Sequence, residues 1–338
     1  MNQPVLNQSR HIAVLGAGAW GTALALQLSQ RHRVSLWTRS AEHALHMQQS
    51  RCNPQFLDET PFPEGLQVVA DLATALQEVD MVLSVVPTAG LRHIMRQVRA
   101  LGCSAPLIWA SKGLEAASSQ LAHEIAAAEL PAGQRYGVLS GPSFAAELAR
   151  GLPTAVTLAC PDAAFAREAG AWLHGANLRV YTSDDVVGVS VAGAVKNVMA
   201  IAAGISDGMQ FGNNARAALI TRGMAEMTRF GLALGGKKDT FMGLSGVGDL
   251  ILTCTGQYSR NREVGLRLAT GQHLPQILEQ LGHVAEGVHT AREVVRRAEQ
   301  LGVEMPISRE VERVLFEQRA PRDAVETLLG REQKAERD

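Results

Sequence analysis

An apolar strand that runs directly into a glycine-rich turn is the feature that most constrains this chain. Residues 12–21 read Ile-Ala-Val-Leu-Gly-Ala-Gly-Ala-Trp-Gly, so a buried strand is followed by the spacing G-x-G-x-x-G. In such a turn Gly16 permits the tight bend, Gly18 lets the backbone approach a pyrophosphate, and Gly21 lets the next helix pack on the strand. The pattern predicts a dinucleotide site on a Rossmann-type fold; an ordinary structural turn is the alternative.

The rest of the chain falls into two patterns. From residue 12 to about 181, short β-rich runs alternate with helical runs, which predicts a parallel sheet covered on both faces. Strands are predicted over 12–15, 34–37, 81–86, 107–110, 136–140, 155–159 and 178–181, with the first helix over 20–30. After about residue 190 the composition favours helices. We expect an α/β protein with a flexible tail (1–10), a Rossmann-type domain (11–189) and a mostly helical domain (190–338).

The end of the second predicted strand bears on which dinucleotide binds. An NAD site usually places Asp or Glu about 20 residues after the glycines, where the carboxylate binds the ribose hydroxyls. This chain has Thr38-Arg39-Ser40 there. A guanidinium and two hydroxyls suit a 2′-phosphate, which favours NADP(H), whereas a solvated surface arginine is the alternative. Glu42 lies close enough to leave NAD(H) open.

Length and composition restrict the class of protein. A chain of 338 residues with 46% hydrophobic and 19% charged residues predicts a soluble globular protein of about two domains. The formal net charge of −1 argues for neither nucleic acid nor a membrane surface, and we expect no apolar run of the roughly 20 residues that span a bilayer. The four cysteines have neither the spacing of a metal site nor a disulfide pattern, so we expect a cytoplasmic protein without a metal. These cysteines are Cys52, Cys103, Cys160 and Cys254.

Lys196 stands out because of its surroundings. Only five of the 32 lysines and arginines are lysines, and this one lies in the apolar run 191–201. A helix that is apolar nearly all round is buried, so its ammonium must be desolvated or paired. Burial lowers the pKa of a lysine toward the range useful for proton transfer. A lysine that extends its ammonium to water along an apolar stem is the alternative, and here we favour function.

Further polar groups lie where ligands bind on such a fold. Ligands bind at the carboxyl ends of parallel strands, and three predicted strand ends carry Pro87-Thr88, Ser111-Lys112-Gly113 and Ser140-Gly141-Pro142-Ser143. Asp249 and Thr253 are four residues apart and share one face of a helix. Asp249 either only caps the helix or also pairs with a buried lysine, since a capping carboxylate can do both. Ser259-Arg260-Asn261-Arg262 is placed at a helix start, where it predicts an anion site or an exposed basic loop.

Several motifs together resemble one family, the bacterial NAD(P)-dependent glycerol-3-phosphate dehydrogenases. The resemblance covers about residues 12–329. It rests on Gly16-Ala-Gly-Ala-Trp-Gly21, Ala110-Ser-Lys-Gly-Leu-Glu115, Ser140-Gly-Pro-Ser-Phe-Ala145, Gly193-Ala-Val-Lys-Asn197, Gly204-Ile-Ser-Asp-Gly208, Gly248-Asp-Leu-Ile-Leu-Thr-Cys254, Ser259-Arg-Asn-Arg262 and Glu286-Gly287. The family implies reversible hydride transfer between NAD(P)H and dihydroxyacetone phosphate, giving sn-glycerol 3-phosphate for phospholipid synthesis, in a homodimer without nucleic acid or membrane insertion.

The resemblance also implies roles for residues at matching positions. Lys196 is similar to the family's proton donor to the carbonyl oxygen, and Lys112 to the lysine that touches both substrate and cofactor. Asn197, Asp249 and Thr253 match polar residues around the reacting carbon. The implied substrate site comprises Lys112, Gly141, Ser143, Lys196, Asp249, Ser259, Arg260 and Asn261. The implied cofactor contacts are Ala19, Trp20, Lys112, Ala145, Arg260, Val284 and Glu286, beside the predicted Gly16, Gly18, Gly21, Arg39 and Pro87.

Two other functions stay open on the sequence. A β-hydroxyacid or 6-phosphogluconate-type dehydrogenase shares the two-domain plan and would use a similar lysine on another substrate. A non-catalytic NADP(H) sensor would bind the cofactor without turnover, although it would have no use for Lys196, Asp249 and Arg260 together.

Overall fold

One mostly parallel sheet forms the centre of the first half of the molecule. The computed structural model describes residues 8–57, 60–282 and 285–331. Within those residues, eight strands pair in the order β3-β2-β1-β4-β5-β6-β7-β8. The strands are β1 (His11–Leu15), β2 (Arg33–Trp37), β3 (Leu66–Val69), β4 (Met81–Ser84), β5 (Leu107–Trp109), β6 (Tyr136–Ser140), β7 (Thr154–Ala159) and β8 (Leu178–Ser183). Because β1 to β6 are parallel in the order of a dinucleotide-binding sheet, the predicted Rossmann-type fold is confirmed.

The last two strands correct the prediction of an all-parallel sheet. β7 pairs antiparallel with β6, with Leu139 opposite Leu158, and β8 is parallel to β7. A strand that runs parallel to the preceding one needs a crossover connection that returns the chain to the opposite end of the sheet, usually through a helix. The connection from β6 to β7 contains only the short helix Ala145–Ala149, so the chain turns back directly. The antiparallel step also accounts for the partly alternating burial of β7.

Helices cover both faces of the sheet and then form the second half of the chain. Those around the sheet are α1 (Ala19–Leu28), α2 (Ala41–Ser50), α3 (Leu72–Ala75), α4 (Thr88–Ala100), α5 (Ala122–Glu129), α6 (Ala145–Ala149) and α7 (Ala163–Leu173). The later ones are α8 (Val186–Gly208), α9 (Gly212–Ala233), α10 (Lys238–Phe241), α11 (Asp249–Thr255), α12 (Arg260–Ala269), α13 (Leu274–Leu281), α14 (Glu286–Gln300), α15 (Pro306–Phe316) and α16 (Pro321–Leu329). A π-helical turn, Leu244–Gly248, leads into α11. The expected change from strands to helices is therefore present, and the predicted domain boundary at 189/190 falls inside α8.

Alternation along the strands separates two apolar cores. On β1, Ile12 and Val14 pack on one side of the sheet, whereas Ala13 and Leu15 pack on the other. Of the predicted tail, residues 1–7 lie outside the described part of the chain. Arg10 is anchored at the start of β1, where its guanidinium lies 3.3 Å from Asp80 and 4.9 Å from the centre of the Trp172 ring.

The helical half is built around α8. This helix has the length and composition of a membrane span, with a mean hydropathy of 1.8, so the expectation that no apolar run is long enough for one is wrong. However, 94% of that segment is buried inside the protein, as in the core helix of a globular fold. Two glycines let α12 cross α8 closely, since a Cβ on Gly204 or Gly265 would collide with backbone of the other helix. Residues on several sides of α8 can therefore meet at one point.

Candidate active site

The glycine turn after β1 has the geometry that a pyrophosphate site requires. Gly16 has a φ of +118°, and a Cβ there would lie 2.9 Å from the carbonyl oxygen of Val85. A Cβ on Gly21 would collide with the carbonyl oxygen of Gly16, so this glycine permits α1 to pack against the turn. In contrast, a Cβ on Gly18 would meet nothing within 4 Å, which leaves open space beside the N-terminus of α1. The turn therefore fits a dinucleotide phosphate.

The other residues predicted on the cofactor side lie around this turn. Ala19 and Trp20 begin α1, and Pro87 precedes α4 at the end of β4. Ala145 begins α6, which packs against α1. Val284 lies outside the described residues.

At the end of β2, Thr38 and Ser40 make local hydrogen bonds, whereas Arg39 makes none within the described part of the chain. The Ser40 hydroxyl caps α2 by accepting from the amide of His43, and the Thr38 hydroxyl lies 3.4 Å from the ring of the same histidine. Arg39 is exposed and has no hydrogen-bond partner among the described residues. The guanidinium is therefore available to an anion, while both hydroxyls already serve the local turn.

Two lysines share one buried aspartate between the two halves of the molecule. Lys196 on α8 donates to Asp249 Oδ1 at 2.6 Å and to Thr253 Oγ1 at 2.9 Å. Lys112, which follows β5, donates to Asp249 Oδ2 at 2.8 Å and to the carbonyl oxygen of Gly141 at 3.2 Å. The side chain of Asp249 is 1% exposed, that of Lys196 8% and that of Lys112 14%. Residues from three separate parts of the chain thus form one charged centre.

Burial and mutual charge set the protonation of this centre. Burial lowers the pKa of Lys196 to about 8 despite the attraction of Asp249, and the ammonium of Lys112 adds to the lowering. Burial would raise the pKa of the Asp249 carboxyl, but the charges and hydrogen bonds of the two lysines outweigh it, so that pKa is lowered. Asp249 begins α11 without capping it through its side chain, so pairing, not capping, describes its role. The carboxylate stays ionised while Lys196 can exchange a proton near neutral pH.

A chain of amides connects three helices to Lys112. The Gly287 amide donates to Asn261 Oδ1 at 3.0 Å, and Asn261 Nδ2 donates to Asn197 Oδ1 at 3.0 Å. Asn197 Nδ2 in turn donates to the carbonyl oxygen of Lys112 at 3.1 Å. Both asparagines are buried, so this chain fixes the backbone of Lys112 relative to α8, α12 and α14.

Glu286, at the start of α14, connects the helical half to the strand ends. Its Oε1 accepts from the Thr88 amide at 2.7 Å, and its Oε2 accepts from the Lys112 amide at 3.3 Å. Burial raises the pKa of this carboxyl, while the hydrogen bonds and the charge of Arg260 oppose the rise. The sequence places Thr88 at a strand end where ligands bind but assigns it no role, and the structure shows its amide bound to Glu286.

The basic cluster at the start of α12 separates into two functions. Ser259 caps the helix by accepting from the Arg262 amide, and Arg262 pairs with Asp207 of α8 at 2.7 Å. Arg260 is exposed and has no carboxylate within salt-bridge distance among the described residues. The first amides of a helix have no intrahelical acceptor, so they and Arg260 can bind an anion.

The loop after β6 completes the surroundings of Lys112. Gly141 has a φ of +142°, and a Cβ there would lie 3.0 Å from the Cα of Val156, so a side chain is excluded. Its carbonyl oxygen accepts from Lys112 and, at 2.9 Å, from the Ser143 hydroxyl. Within the described residues, no group of three or more His, Cys, Asp or Glu side chains is placed to hold a metal ion.

The fold and the site together define a class, the Rossmann-type NAD(P)-dependent oxidoreductases. Two family models match: the N-terminal part of NAD-dependent glycerol-3-phosphate dehydrogenase over residues 11–166, and its C-terminal part over 185–326. The chain belongs to the NAD-dependent glycerol-3-phosphate dehydrogenase family.

Individual relatives agree with the family models over nearly the whole chain. A glycerol-3-phosphate dehydrogenase (NAD(P)+) of Methylobacillus flagellatus is 69% identical over 325 residues, covering 96% of this chain and 99% of the relative. One of Nitrosospira multiformis is 56% identical over 329 residues, covering 96% and 99%. The crystal structure of glycerol-3-phosphate dehydrogenase from Coxiella burnetii matches with a TM-score of 0.92 at 43% identity, covering 96% of this chain and 99% of that one.

Proposed function

We propose that this protein catalyses the reversible reduction of dihydroxyacetone phosphate to sn-glycerol 3-phosphate with NADPH or NADH. The observation that carries the proposal is the buried centre in which Asp249 holds both Lys196 and Lys112, in a member of this family. When bound, the nicotinamide cofactor supplies the hydride.

Lys196 is the proposed acid. Its ammonium has a pKa of about 8, so it is largely protonated at neutral pH and can give a proton to the carbonyl oxygen of the substrate. Asp249 and Thr253 hold Nζ by hydrogen bonds, which fixes the direction of transfer. In the reverse direction neutral Lys196 removes the hydroxyl proton. The second ammonium, on Lys112, stabilises the negative charge that develops on the oxygen.

Arg260 and its helix start are the proposed phosphate site. The guanidinium and the first amides of α12 match a phosphate dianion, and Ser259 and Asn261 hold the turn that presents them. Gly141 and Ser143 are proposed to border the substrate from the loop after β6, where the carbonyl oxygen of Gly141 accepts from Lys112 and from the Ser143 hydroxyl. A bound phosphate anchors the substrate so that its carbonyl lies at the lysine centre.

The cofactor is proposed to lie along the carboxyl edge of the sheet. Its pyrophosphate would be held by the turn from Gly16 to Gly21 with Ala19 and Trp20, and its 2′-phosphate by Arg39. Pro87, Ala145 and Glu286 would border its nicotinamide half, together with Lys112 and Arg260. The fit rests on the open space at Gly18 and on the free guanidinium of Arg39.

The test is the oxidation of NADPH, and separately of NADH, by the purified protein with dihydroxyacetone phosphate. We expect turnover that depends on this substrate, and little turnover with a panel of β-oxo acids and oxidised sugar phosphates. Turnover only with an oxo acid would support the related β-hydroxyacid dehydrogenase. Cofactor binding without turnover on any substrate would support the sensor.

The assembly and setting are proposed on separate grounds. We propose a homodimer that joins through the helical half, where a groove of about 860 Å³ is bordered by the exposed side chains of Phe211, Leu232 and Leu329. Light scattering of the purified protein tests the dimer. We also propose that residues 11–189 bind the cofactor, that residues 190–338 supply the acid and phosphate site, and that the enzyme acts in the cytoplasm to supply phospholipid synthesis.

A further inference from the structure

The segment that follows Lys112 is a closed loop packed on the helical half. Leu114 and Leu121 form an antiparallel bridge across its base, and both are buried in the core around α8. The Glu115 amide donates to the carbonyl oxygen of Gln120 at 2.9 Å, which closes the loop. Lys112 therefore stands between a strand of the sheet and a loop held by helices.

This loop contains two residues in an unfavourable backbone conformation. Ala117 has a φ of +68° and Ser119 a φ of +55°, the left-handed region that residues with a Cβ adopt at a cost. Such a conformation persists only where surrounding contacts impose it. The loop thus needs an external support, and Ser119 is buried where that support is found.

The buried part of that support is the carboxylate of Glu293 on α14. Arg296 also donates to the carbonyl oxygen of Ala117, and Arg92 pairs with Glu115. Glu293 Oε2 accepts from the Ser119 hydroxyl at 2.5 Å, and its Oε1 accepts from the Ala117 amide at 3.4 Å. The residue is 5% exposed, and no cation lies within salt-bridge distance among the described residues. A buried carboxylate requires hydrogen bonds, and here the two left-handed residues of the loop supply them.

The same face of α14 holds the other end of the loop. Glu286, two turns earlier, accepts from the Lys112 amide, and Thr290 lies between the two glutamates. A Cβ on Gly113 would lie 2.8 Å from Thr290 Oγ1, so loop and helix are in close contact there. One face of α14 thus binds the loop at its beginning, through Glu286, and at its tip, through Glu293.

We infer that Glu293 is a positioning residue for the reaction: by holding Ala117 and Ser119 it fixes the loop that aims Lys112 at Asp249. This inference rests on the proposed role of Lys112 in dihydroxyacetone phosphate reduction. The hydrogen bonds of Glu293 go to the loop, so its effect on turnover is transmitted through the loop.

The test compares Glu293→Ala with Glu293→Gln and with Glu299→Ala, an exposed glutamate on the same helix. We expect Glu293→Ala to lower kcat for dihydroxyacetone phosphate about tenfold while the Kd for NADPH stays within about twofold, because the glycine turn and Arg39, which lie away from the loop, are proposed to hold most of the cofactor. Glu293→Gln keeps an acceptor for Ser119 and should restore most of the rate. Glu299→Ala should match the wild type.

The pH profile separates positioning from general stability. Lys196 is faced by the charged groups of Asp249 and Lys112, and the Lys112 ammonium lowers its pKa. Displacement of Lys112 in Glu293→Ala should therefore move the alkaline limb of kcat to higher pH, which a loss of stability alone would not do. A variant with wild-type kcat and wild-type pH profile would overturn the inference, whatever its melting temperature.

Hydrogen exchange provides a readout that does not need turnover. Amides of residues 113–121 should exchange faster in Glu293→Ala and in the milder Ser119→Ala than in wild type, while α8 stays protected. Unchanged exchange of that loop would contradict the inference. An inactive wild-type protein would instead refute the proposed substrate and leave the loop measurement valid.

Discussion

Two buried carboxylates in the helical half have opposite protonation behaviour. Asp249 receives two ammonium groups, and its pKa is lowered although the side chain is 1% exposed. Glu226 on α9 is equally buried, but its hydrogen bonds within the described residues come from neutral donors, the amides of Ile307 and Ser308 and the Ser308 hydroxyl at the start of α15. Burial raises the pKa of Glu226 to about 7. Burial alone therefore does not determine the charge of a carboxyl group; the charge of its partners does.

The difference also separates two uses of a buried acid. The carboxylate of Asp249 holds Lys196 and Lys112 together at the site proposed for the substrate. The carboxyl of Glu226 joins α9 to the N-terminus of α15, which is a structural role. This distinction would be wrong if a substitution of Asp249 changed only stability, or if a substitution of Glu226 changed only turnover.

Asp249→Asn should have the largest effect. Loss of the charge leaves the buried Lys196 and the partly buried Lys112 without a charged partner, and a broken buried ion pair of this kind costs about 3–5 kcal/mol of unfolding free energy. Because Asp249 raises the pKa of Lys196, its loss also lowers the fraction of protonated acid, and kcat should fall about 1000-fold. Kinetics and urea unfolding measure both, with the exposed Asp239→Asn as control. A stable, active Asp249→Asn would contradict the role of the centre.

Glu226→Gln should change stability in a pH-dependent way and leave kcat unchanged. Because the folded pKa of Glu226 is about 7 against 4.5 for the free group, the folded state retains a proton that the unfolded chain has released. Its contribution to stability is therefore lost as pH rises from 4.5 to 7, by about 3 kcal/mol. Urea unfolding at pH 5 and pH 8 should show this loss in wild type and not in Glu226→Gln. An equal pH dependence in both proteins would show that Glu226 is ionised throughout.

The pH dependence of turnover should identify Lys196 as the acid. With a pKa of about 8, Lys196 loses its proton above that pH, so kcat for reduction should fall about tenfold per pH unit there. In the oxidation direction, kcat should rise through the same pH because neutral Lys196 is the base. The two profiles would be measured with saturating substrates, and Lys196→Ala should bind NADPH but show neither limb. Limbs that persist in Lys196→Ala would assign the titration to another group.

Arg39 tests the opposite case, a charge that is exposed and has no partner within residues 8–57, 60–282 and 285–331. Its loss should not affect stability, and Arg39→Ala should weaken NADPH binding about fivefold while NADH binding changes little, because only NADPH carries the 2′-phosphate. Fluorescence titration with both cofactors measures this, with Arg33→Ala at the other end of β2 as control. Equal weakening for both cofactors would show that Arg39 does not recognise the 2′-phosphate.

Local sequence patterns predict the features that depend only on residues close together in the sequence. The glycine turn follows from the spacing of three glycines, and the burial of Lys196 follows from its apolar neighbours. β3 and α2 were absent from the prediction because their patterns are weak. β3 has four residues, and α2 buries only Ala44 and Met47.

Such patterns do not predict which residues from distant parts of the sequence contact each other. Asn197 meets Asn261 across 64 residues, and the Lys112 loop meets Glu293 across more than 170. Asn197 lies in the same apolar run as Lys196, which predicts burial but not its partner; only the crossing of α8 and α12 shows that Asn197 and Asn261 are hydrogen-bonded. The direction of β7 was also unpredictable, because an apolar strand has the same composition in either orientation.

The antiparallel step at β7 determines the direction from which the acid reaches the site. Since β7 and β8 run opposite to β1–β6, β8 ends at the edge of the sheet away from the glycine turn. α8 therefore starts at the amino ends of the parallel strands and runs toward their carboxyl ends. Lys196, about 15 Å from the start of α8, reaches the carboxylate that Lys112 also binds. The orientation of β7 thus helps to bring Lys196, from the opposite end of the sheet, to the same carboxylate that Lys112 reaches from β5.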